Sequence, residues 1–482
     1  MRTSRLFLAA TALATSGVVL AQMRGLNPRD VAESQRLHPQ LVEEYGGAES
    51  GPRGAYVDSV GRRVAASSGI GQSLRFTALN SAVENAFAQP GGYVYVTRQL
   101  MGLMNDEAEL GFVLGHETGH IAANHSQARK SASTRNSIIG VLGVLLGSAV
   151  GSNAIGSLIS QGAQLRTLSF SRAQEYQADT LGIRYLSAAG YDPLASRSML
   201  AALSRSSALE ARVQGNDNRS TPEWAQTHPL NENRVRQAAA LAQRSPRAGT
   251  GIRNRDVYLA QIDGMIVDDD PAQGVIDGRS FVHPDLRLQF VVPAGFQMQN
   301  GASAVTVAGS NGQAQFSTGR FNGDFADYIA RVVYGLTQGK AQVALSPLQR
   351  TTINGLPAGF VTGRAQTSSG VVDVSVMAYR FDADTAYHFI MVTPGGQGMR
   401  PFASMLDSLR RISASEAAAI RPRVIDVVTV RRGDTVASLA ARMAYRDYRV
   451  ERFVSLNGIA NGAALVPGQK VKLVVYGARP RG

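Results

Sequence analysis

Between Arg244 and Gly251 the chain runs RSPRAGTG, and the period of its hydrophobic pattern changes across that stretch. From residue 26 to about 243 apolar residues recur at helical spacing, with one strand-like run, Tyr93-Val94-Tyr95-Val96-Thr97, just after the turn Pro90-Gly91-Gly92. From 252 to 413 the pattern alternates, as in Leu286 to Val292, Gly359 to Arg364 and Val371 to Tyr379, and Asn354-Gly355 marks a hairpin turn. A helix repeats its faces every 3.6 residues and a strand every two, so one layer cannot accommodate both halves. The pattern predicts a mainly α domain with a small edge sheet over 22–245 and an α/β sandwich over 252–413. The sandwich takes two helices, near 324–337 and 399–412, and after Arg421-Pro422-Arg423 a last unit of about fifty residues spans 424–477. A chain of 482 residues, 44% of them hydrophobic, can bury cores for that many domains.

Composition narrows the chemistry. There is no cysteine, which excludes disulfides, thiol catalysis and thiolate metal sites, so any metal must be held by His, Asp or Glu. Lys and Arg number 49 against 36 acidic residues, a net charge of +13, but no basic stripe with interleaved aromatics appears and no nucleic-acid partner is expected. Arg2 and Arg5, the apolar run Leu6 to Leu20 and the sequence Val19-Leu20-Ala21 before Gln22 have the form of a secretory signal peptide over 1–21. No Cys follows the cleavage site, so the mature chain is not expected to carry a lipid anchor there, and a bacterial periplasm is the expected location. Residues 136–165 carry no charge and place Gly143, Gly147 and Gly151 at GxxxG spacing, but the unbroken apolar part ends at Gly151, short of a membrane span. That segment is expected to form a buried hairpin or a lid over the site.

The sharpest chemical signal is His116-Glu117-Thr118-Gly119-His120. Residues four apart on a helix lie about 40° apart around its axis, so both imidazoles can face one metal while Glu117 is angled to a water there. Asp106 with Glu109 offers a capping box, and Leu110, Val113 and Leu114 an apolar stripe. His125 lies about 180° around such a helix from His116 and is expected to stay outside the ligand set. A third ligand is needed, and Ser171 to Asp179 (SRAQEYQAD) offers Glu175 and Asp179 one helical turn apart, as a ligand and an acceptor for an imidazole N–H.

HETGH with SRAQEYQAD about fifty-five residues on, Asn85-Ala86-Phe87-Ala88 before Pro90-Gly91-Gly92, and Thr227-His228-Pro229 with Arg234 occur together in this order. The combination resembles the HtpX-like zinc metallopeptidases, in particular their soluble periplasmic BepA-like branch, over roughly residues 26–245. The resemblance implies a zincin-type fold with one zinc ion per chain on His116, His120 and Glu175, Glu117 as catalytic base and Asp179 as the residue behind a ligand. It further implies a role for His228, either stabilising the oxyanion or filling the open metal position, and for the nearby Arg234. The strand at Tyr93 to Thr97, with Asn85 and Ala86 in the edge-strand motif, is expected to receive an extended substrate by strand addition. The implied substrates are misfolded or stalled envelope polypeptides, with outer-membrane assembly machinery as a further partner and a binding or chaperone-like role as the rival reading.

No ligand cluster marks 252–413, and His283 and His388 there read as structural; the order of elements resembles a PsbP-like sandwich. In the last unit, Val428 to Thr435, Ala437 to Met443, Leu456-Asn457-Gly458 and Leu465 to Val471 resemble a LysM module of strand, two helices and strand. Such modules bind N-acetylglucosamine-containing glycans through the loops after the first strand and after the second helix. That implies contacts to peptidoglycan from Gly433, Asp434, Thr435 and Asn457.

Overall fold

The computed structural model describes residues 25–125, 170–213, 224, 227–229, 232–301, 304–337, 344–367, 370–460 and 463–478. The expected signal peptide and the apolar segment 136–165 lie outside the described residues.

The first region begins with α1 (Pro28–Glu44) and α2 (Pro52–Ala65), then a three-stranded sheet of β1 (Arg75–Leu79), β2 (Ala86–Gln89) and β3 (Tyr93–Thr97). Helices α3 (Arg98–Leu103), α4 (Glu107–Ala122), α5 (Arg172–Ala188), α6 (Ala195–Val213) and α7 (Glu232–Gln243) follow. Helix α4 starts where its sequence allows. Asp106 accepts from the Glu109 backbone N–H at 3.0 Å, and the Glu109 carboxylate reaches back to the Asn105 N–H at 2.7 Å, one residue earlier than a standard capping box. All but the last residue of α4 are buried, so it is a core helix rather than an amphipathic surface one. Its glycines let a second helix come very close. A Cβ on Gly182 of α5 would lie 2.9 Å from the His116 backbone nitrogen, and one on Gly119 would lie 3.1 Å from the Ala178 carbonyl oxygen. Backbone thus meets backbone between α4 and α5, which carry the two halves of the motif.

In the sheet, β3 is the middle strand, parallel to β1 and antiparallel to β2. This corrects the expectation that Tyr93 to Thr97 would receive a substrate strand: both of its ladders are already taken, and every residue in it is buried. The edge on that side is β2, headed by Ala86.

Helix α8 (Arg255–Ile262) and β4 (Ile266–Val267) fall after the RSPRAGTG stretch, yet they pack in the first core, through Tyr258, Leu259, Ile262, Met265 and Val267. The sandwich proper starts at about Pro271 rather than at 252. Its strands are β5 (Val275–Asp277), β6 (Ser280–His283), β7 (Leu288–Val291), β8 (Phe296–Asn300), β9 (Val305–Gly309) and β10 (Gly312–Arg320). After α9 (Phe325–Thr337) come β11 (Ala344–Leu345), β12 (Gln349–Ile353), β13 (Leu356–Thr367), β14 (Gly370–Arg380) and β15 (Thr385–Pro394). Short α10 (Ala403–Ser408), β16 (Arg410–Arg411) and α11 (Ala414–Ala419) close it. Eight strands form one sheet, with α9 on one face and the four-stranded sheet β16-β7-β6-β5 on the other. Asn354 and Gly355, both at positive φ (50° and 78°), make the predicted hairpin between β12 and β13. His388 is buried beside the Tyr328 hydroxyl at 2.8 Å, a structural role, and burial pushes its pKa down to about 4.

The last unit is β17 (Arg423–Thr429), α12 (Val436–Ala440), α13 (Arg449–Asn457) and β18 (Lys470–Tyr476), in the predicted strand-helix-helix-strand order. It is not a separate bead. Strand β17 pairs with β18 on one side and with β4 on the other, and Ile425, Phe453, Val471 and Leu473 share one hydrophobic core with Met101, Met104 and Leu203. Lys472, on β18, is fully buried, and its ammonium donates to the carbonyls of Gly102 (2.7 Å), Leu103 (3.2 Å) and Met104 (2.6 Å). A cation on the carbonyls at the C-terminal end of α3 is favoured by their unpaired lone pairs and by the helix dipole. Asn457 is buried as well. Its amide donates to the Phe453 and Lys472 carbonyls and accepts from the Lys472 N–H, so both of its donors and one acceptor position are engaged inside the module. Asn457 therefore does not serve as a glycan contact, and Gly458 beside it faces Arg205 and Asn105 of the first region.

Candidate metal centre

Helix α4 presents His116, Glu117 and His120 on the side facing α5, as the i, i+4 spacing predicts. Helix α5 begins with a full capping box, Ser171 with Gln174, which fixes its first turn and so places Glu175; Asp179 follows one turn later. A short segment containing Trp224 and His228 then crosses the site, and Arg234 enters from α7.

The four donors converge. His116 Nε2 lies 3.0 Å from His120 Nε2 and 3.3 Å from His228 Nδ1, and Glu175 Oε1 lies 3.0 Å from His228 Nδ1 and 3.5 Å from His120 Nε2. Tetrahedral coordination with bonds of about 2.0–2.1 Å sets ligand atoms about 3.3–3.4 Å apart, close to these spacings. The set of three imidazoles and one carboxylate is a borderline-soft donor set suited to zinc. All four residues are buried, and their ligand atoms lie within 4.8 Å of one another. Neither carboxylate oxygen of the fully buried Glu117 has a hydrogen-bond partner among the described residues, nor does His228 Nε2, and Glu117 Oε1 stands 3.5 Å from that nitrogen. A buried carboxylate left unbonded is costly unless something else completes it, so the residues present fit a cation.

The charges are held by a second layer. Arg234, fully buried, grips Asp179 with two hydrogen bonds (2.7 and 2.9 Å), pairs with Glu175 and donates to the His228 carbonyl at 3.3 Å. Asp179 Oδ1 in turn lies 2.9 Å from His116 Nδ1. Burial raises the pKa of both carboxyls, but the neighbouring His228 and the Arg234 guanidinium at Glu175, and Arg234 at Asp179, outweigh it and hold both ionised. Burial also pushes the pKa of His120 well down and lowers that of His228, which keeps their lone pairs free for a cation. For His116 burial is overcome by the adjacent Asp179 and Glu175, and its pKa rises.

The structure places His116, His120, Glu175 and His228 together and adds further neighbours. Trp224 stacks on the His228 ring (centroids 4.8 Å apart, planes at 17°) with the Arg234 guanidinium 5.3 Å from its own ring, and Phe170 stacks on His120 at 3.8 Å. The Trp224 N–H donates to the Glu84 carbonyl at 3.2 Å, next to Asn85, so the His228 segment is anchored at the start of the edge strand. Asn85 itself is committed to β3, donating to the Thr97 hydroxyl and accepting the Thr97 N–H. His125 stays outside the four-donor set, as expected, and approaches His120 from behind. Asn124 takes a left-handed conformation (φ 56°) after α4 ends, and the chain turns so that the His125 ring approaches His120, with Nδ1 to Nδ1 3.0 Å. Aromatic stacking and a reversal of the chain have no spacing rule, whereas the glycines at 111, 115, 119 and 182 were readable as a close helix contact.

Residues 52–242 match the model of peptidase family M48, a family of zinc metallopeptidases, and residues 428–474 match the LysM domain. Among curated proteins, the β-barrel assembly-enhancing protease of Yersinia pestis is 30% identical over 190 residues, covering 38% of this chain and 37% of that protein. The β-barrel assembly-enhancing protease of Escherichia coli K12 is 29% identical over 213 residues (43% and 42%). The mitochondrial metalloendopeptidase OMA1 of Schizosaccharomyces pombe is 30% identical over 207 residues (42% and 58%). The chain thus spans between about two fifths and three fifths of the length of these relatives. Among solved structures, cyanobacterial PsbP from Synechocystis aligns with 29% of this chain and 98% of its own at 14% identity, with a TM-score of 0.23. The HETGH helix, the Glu175 helix and the buried four-donor cluster all lie inside the span, residues 52–242, that is similar to peptidase family M48.

Proposed function

We propose that the chain is a zinc-dependent endopeptidase of the bacterial periplasm that hydrolyses misfolded or stalled envelope polypeptides and is held closed in this conformation by His228. The observation that carries the reading is the buried cluster of His116, His120, Glu175 and His228 at tetrahedral spacing, with the unbonded Glu117 carboxylate beside it.

His116, His120 and Glu175 would hold the zinc, which supplies Lewis acidity that brings the pKa of a bound water towards neutrality. Glu117 is the proton carrier: its free oxygens face the site, so it can take the proton of the attacking water and pass it to the leaving amine. Asp179 orients His116 through Nδ1, and Arg234 keeps Asp179 and Glu175 ionised. His228 contributes a fourth donor where a hydrolytic site keeps a position open, so its withdrawal precedes turnover. The outer edge of β2, headed by Ala86 and without a strand partner among the described residues, would take an extended substrate by strand addition, reading backbone more than sequence.

The leader at 1–21 supports export, and among the described residues no helix is long and apolar enough to cross a membrane. Two of the bacterial relatives are named for β-barrel assembly, which supports an outer-membrane assembly machinery as partner. Any hold on peptidoglycan would rest on the exposed loop at Gly433, Asp434 and Thr435 without Asn457.

The test is zinc content and casein hydrolysis for the mature chain from Gln22 as wild type, Glu117→Gln and His228→Ala. One zinc per chain is expected in the first two, with no hydrolysis by Glu117→Gln and a gain in His228→Ala. Hydrolysis retained by Glu117→Gln, or no zinc in the wild type, would overturn the reading. Bound zinc with no turnover in any form, His228→Ala included, would favour the second reading, a latent metallopeptidase acting as a chaperone-like binding factor, which the occupied fourth position makes specific.

A further inference from the structure

The two metal-facing imidazoles are backed in different ways. His116 leans on Asp179, a carboxylate fixed by Arg234. Among the described residues His120 has no carboxylate behind it: its Nδ1 meets His125 Nδ1 at 3.0 Å, and His125 Nε2 meets Gln177 Oε1 at 3.1 Å. Two imidazole nitrogens can share one hydrogen bond only if one donates and the other accepts. The amide oxygen of Gln177 accepts only, so His125 Nε2 carries the proton and His125 Nδ1 presents a lone pair. His120 Nδ1 must then carry the proton of the shared bond, which leaves His120 Nε2 with its lone pair towards His116, Glu175 and His228. The bond pattern specifies one tautomer at each link.

We propose that His125 and Gln177 form a neutral two-link arm that positions His120 and fixes its tautomer for metal binding, as Asp179 and Arg234 do for His116. The inference rests on the metal-site reading above. Its parts come from separate places in the fold. His125 is delivered by the reversal at Asn124, and its ring is buried, 6% exposed. Gln177 lies on α5 two residues from Glu175 and two from Asp179, with its side chain at the surface. One turn of α5 therefore supplies a metal donor and the anchors of both orienting arms. The Phe170 ring stacked on His120 holds the plane of the imidazole, so the arm has only the tautomer and the in-plane direction left to set.

Orienting partners behind metal-bound imidazoles typically contribute about 10–100-fold in metal affinity. The measurement is the zinc dissociation constant by competition with a chromogenic chelator, for the full mature chain as wild type, His125→Ala, Gln177→Leu and the double variant, with the Co(II) absorption spectrum of each. Zinc affinity should fall by about 10–100-fold in His125→Ala. Gln177→Leu should produce a smaller fall, and the double variant should be no weaker than His125→Ala, because the glutamine acts only through the histidine. The Co(II) bands should shift in both single variants, a change that loss of packing alone would not produce. Gln177→Leu alters a surface side chain and guards against a misfolded His125→Ala. Wild-type affinity in both single variants, or independent additive losses, would overturn the arm while leaving the metal site standing. No zinc bound by the wild type would instead defeat the site reading itself.

Discussion

Two buried polar clusters, one around Arg234 and one around Lys472, are built on opposite principles. Around Arg234, carboxylates and imidazoles exceed the cation that organises them, and Glu117 and His228 are left with unbonded atoms. Around Lys472, three carbonyls take the three ammonium protons and nothing is left over. An unfinished network points to a missing ion, whereas a closed one points to docking. That difference separates a site for chemistry from a cluster that only holds parts together, although both bury charge to the same extent.

The largest effect should come from breaking the unfinished network. Arg234→Met leaves Asp179 and Glu175 buried without their cation. Removing one partner of a buried pair costs about 3–5 kcal/mol, so urea unfolding of the zinc-free protein should show a loss of that size. Added zinc should restore part of it, since a cation again faces Glu175. Stability unchanged in the zinc-free form would mean that Arg234 does not organise the site.

Lys472→Met sharpens the comparison from the other side. Three carbonyls lose their donor, and a loss of about 1–3 kcal/mol is expected, with zinc content unchanged. The pH dependence carries a sign. Burial lowers the Lys472 pKa to about 7, below its ordinary value, so between the two values the unfolded chain binds more protons than the folded one. Stability from this group therefore rises as pH rises above about 7 and levels off only near the ordinary lysine value. The gap between wild type and Lys472→Met should widen from pH 7.5 to 9, a window in which a chain without cysteine and with four lysines titrates little else. A constant gap would show that Lys472 keeps its proton in the folded chain across this window.

These clusters also show how far the sequence could be read. The i, i+4 imidazoles and the Glu175/Asp179 pair were legible because metal chemistry imposes a spacing that a helix converts directly into geometry. The order of strands was not. Alternation says that Tyr93 to Thr97 is a strand, but whether it ends at an edge or in the middle depends on β1, which pairs with it from eighteen residues upstream. The module at 424–477 was legible as a fold but its docking was not, because Lys472 occupies a position in VKLVV where a lysine ordinarily points to water. Only the α3 carbonyls, some 370 residues away, show why it is inside. That His125 stands outside the donor set was legible, but its approach to His120 depends on the turn at Asn124, which no helical spacing shows.

A smaller effect tests the contact that brings the two chemical helices together. Gly182→Ala would put a Cβ 2.9 Å from the His116 nitrogen, so α5 must move away from α4 by a few tenths of an ångström. Overpacking of this kind costs about 1–3 kcal/mol, and the shift would separate Glu175 from His120. The expected result is a modest drop in melting temperature with a larger relative loss of zinc affinity. The same substitution at Gly335, a helical position where an added Cβ meets nothing within 4 Å, should leave zinc affinity unchanged and raise the melting temperature slightly if it moves it at all. Equal loss of stability and of zinc affinity at Gly182 would mean that the helix contact holds the fold without setting the site, and the difference between the unfinished cluster and the closed one would then rest on their polar atoms alone.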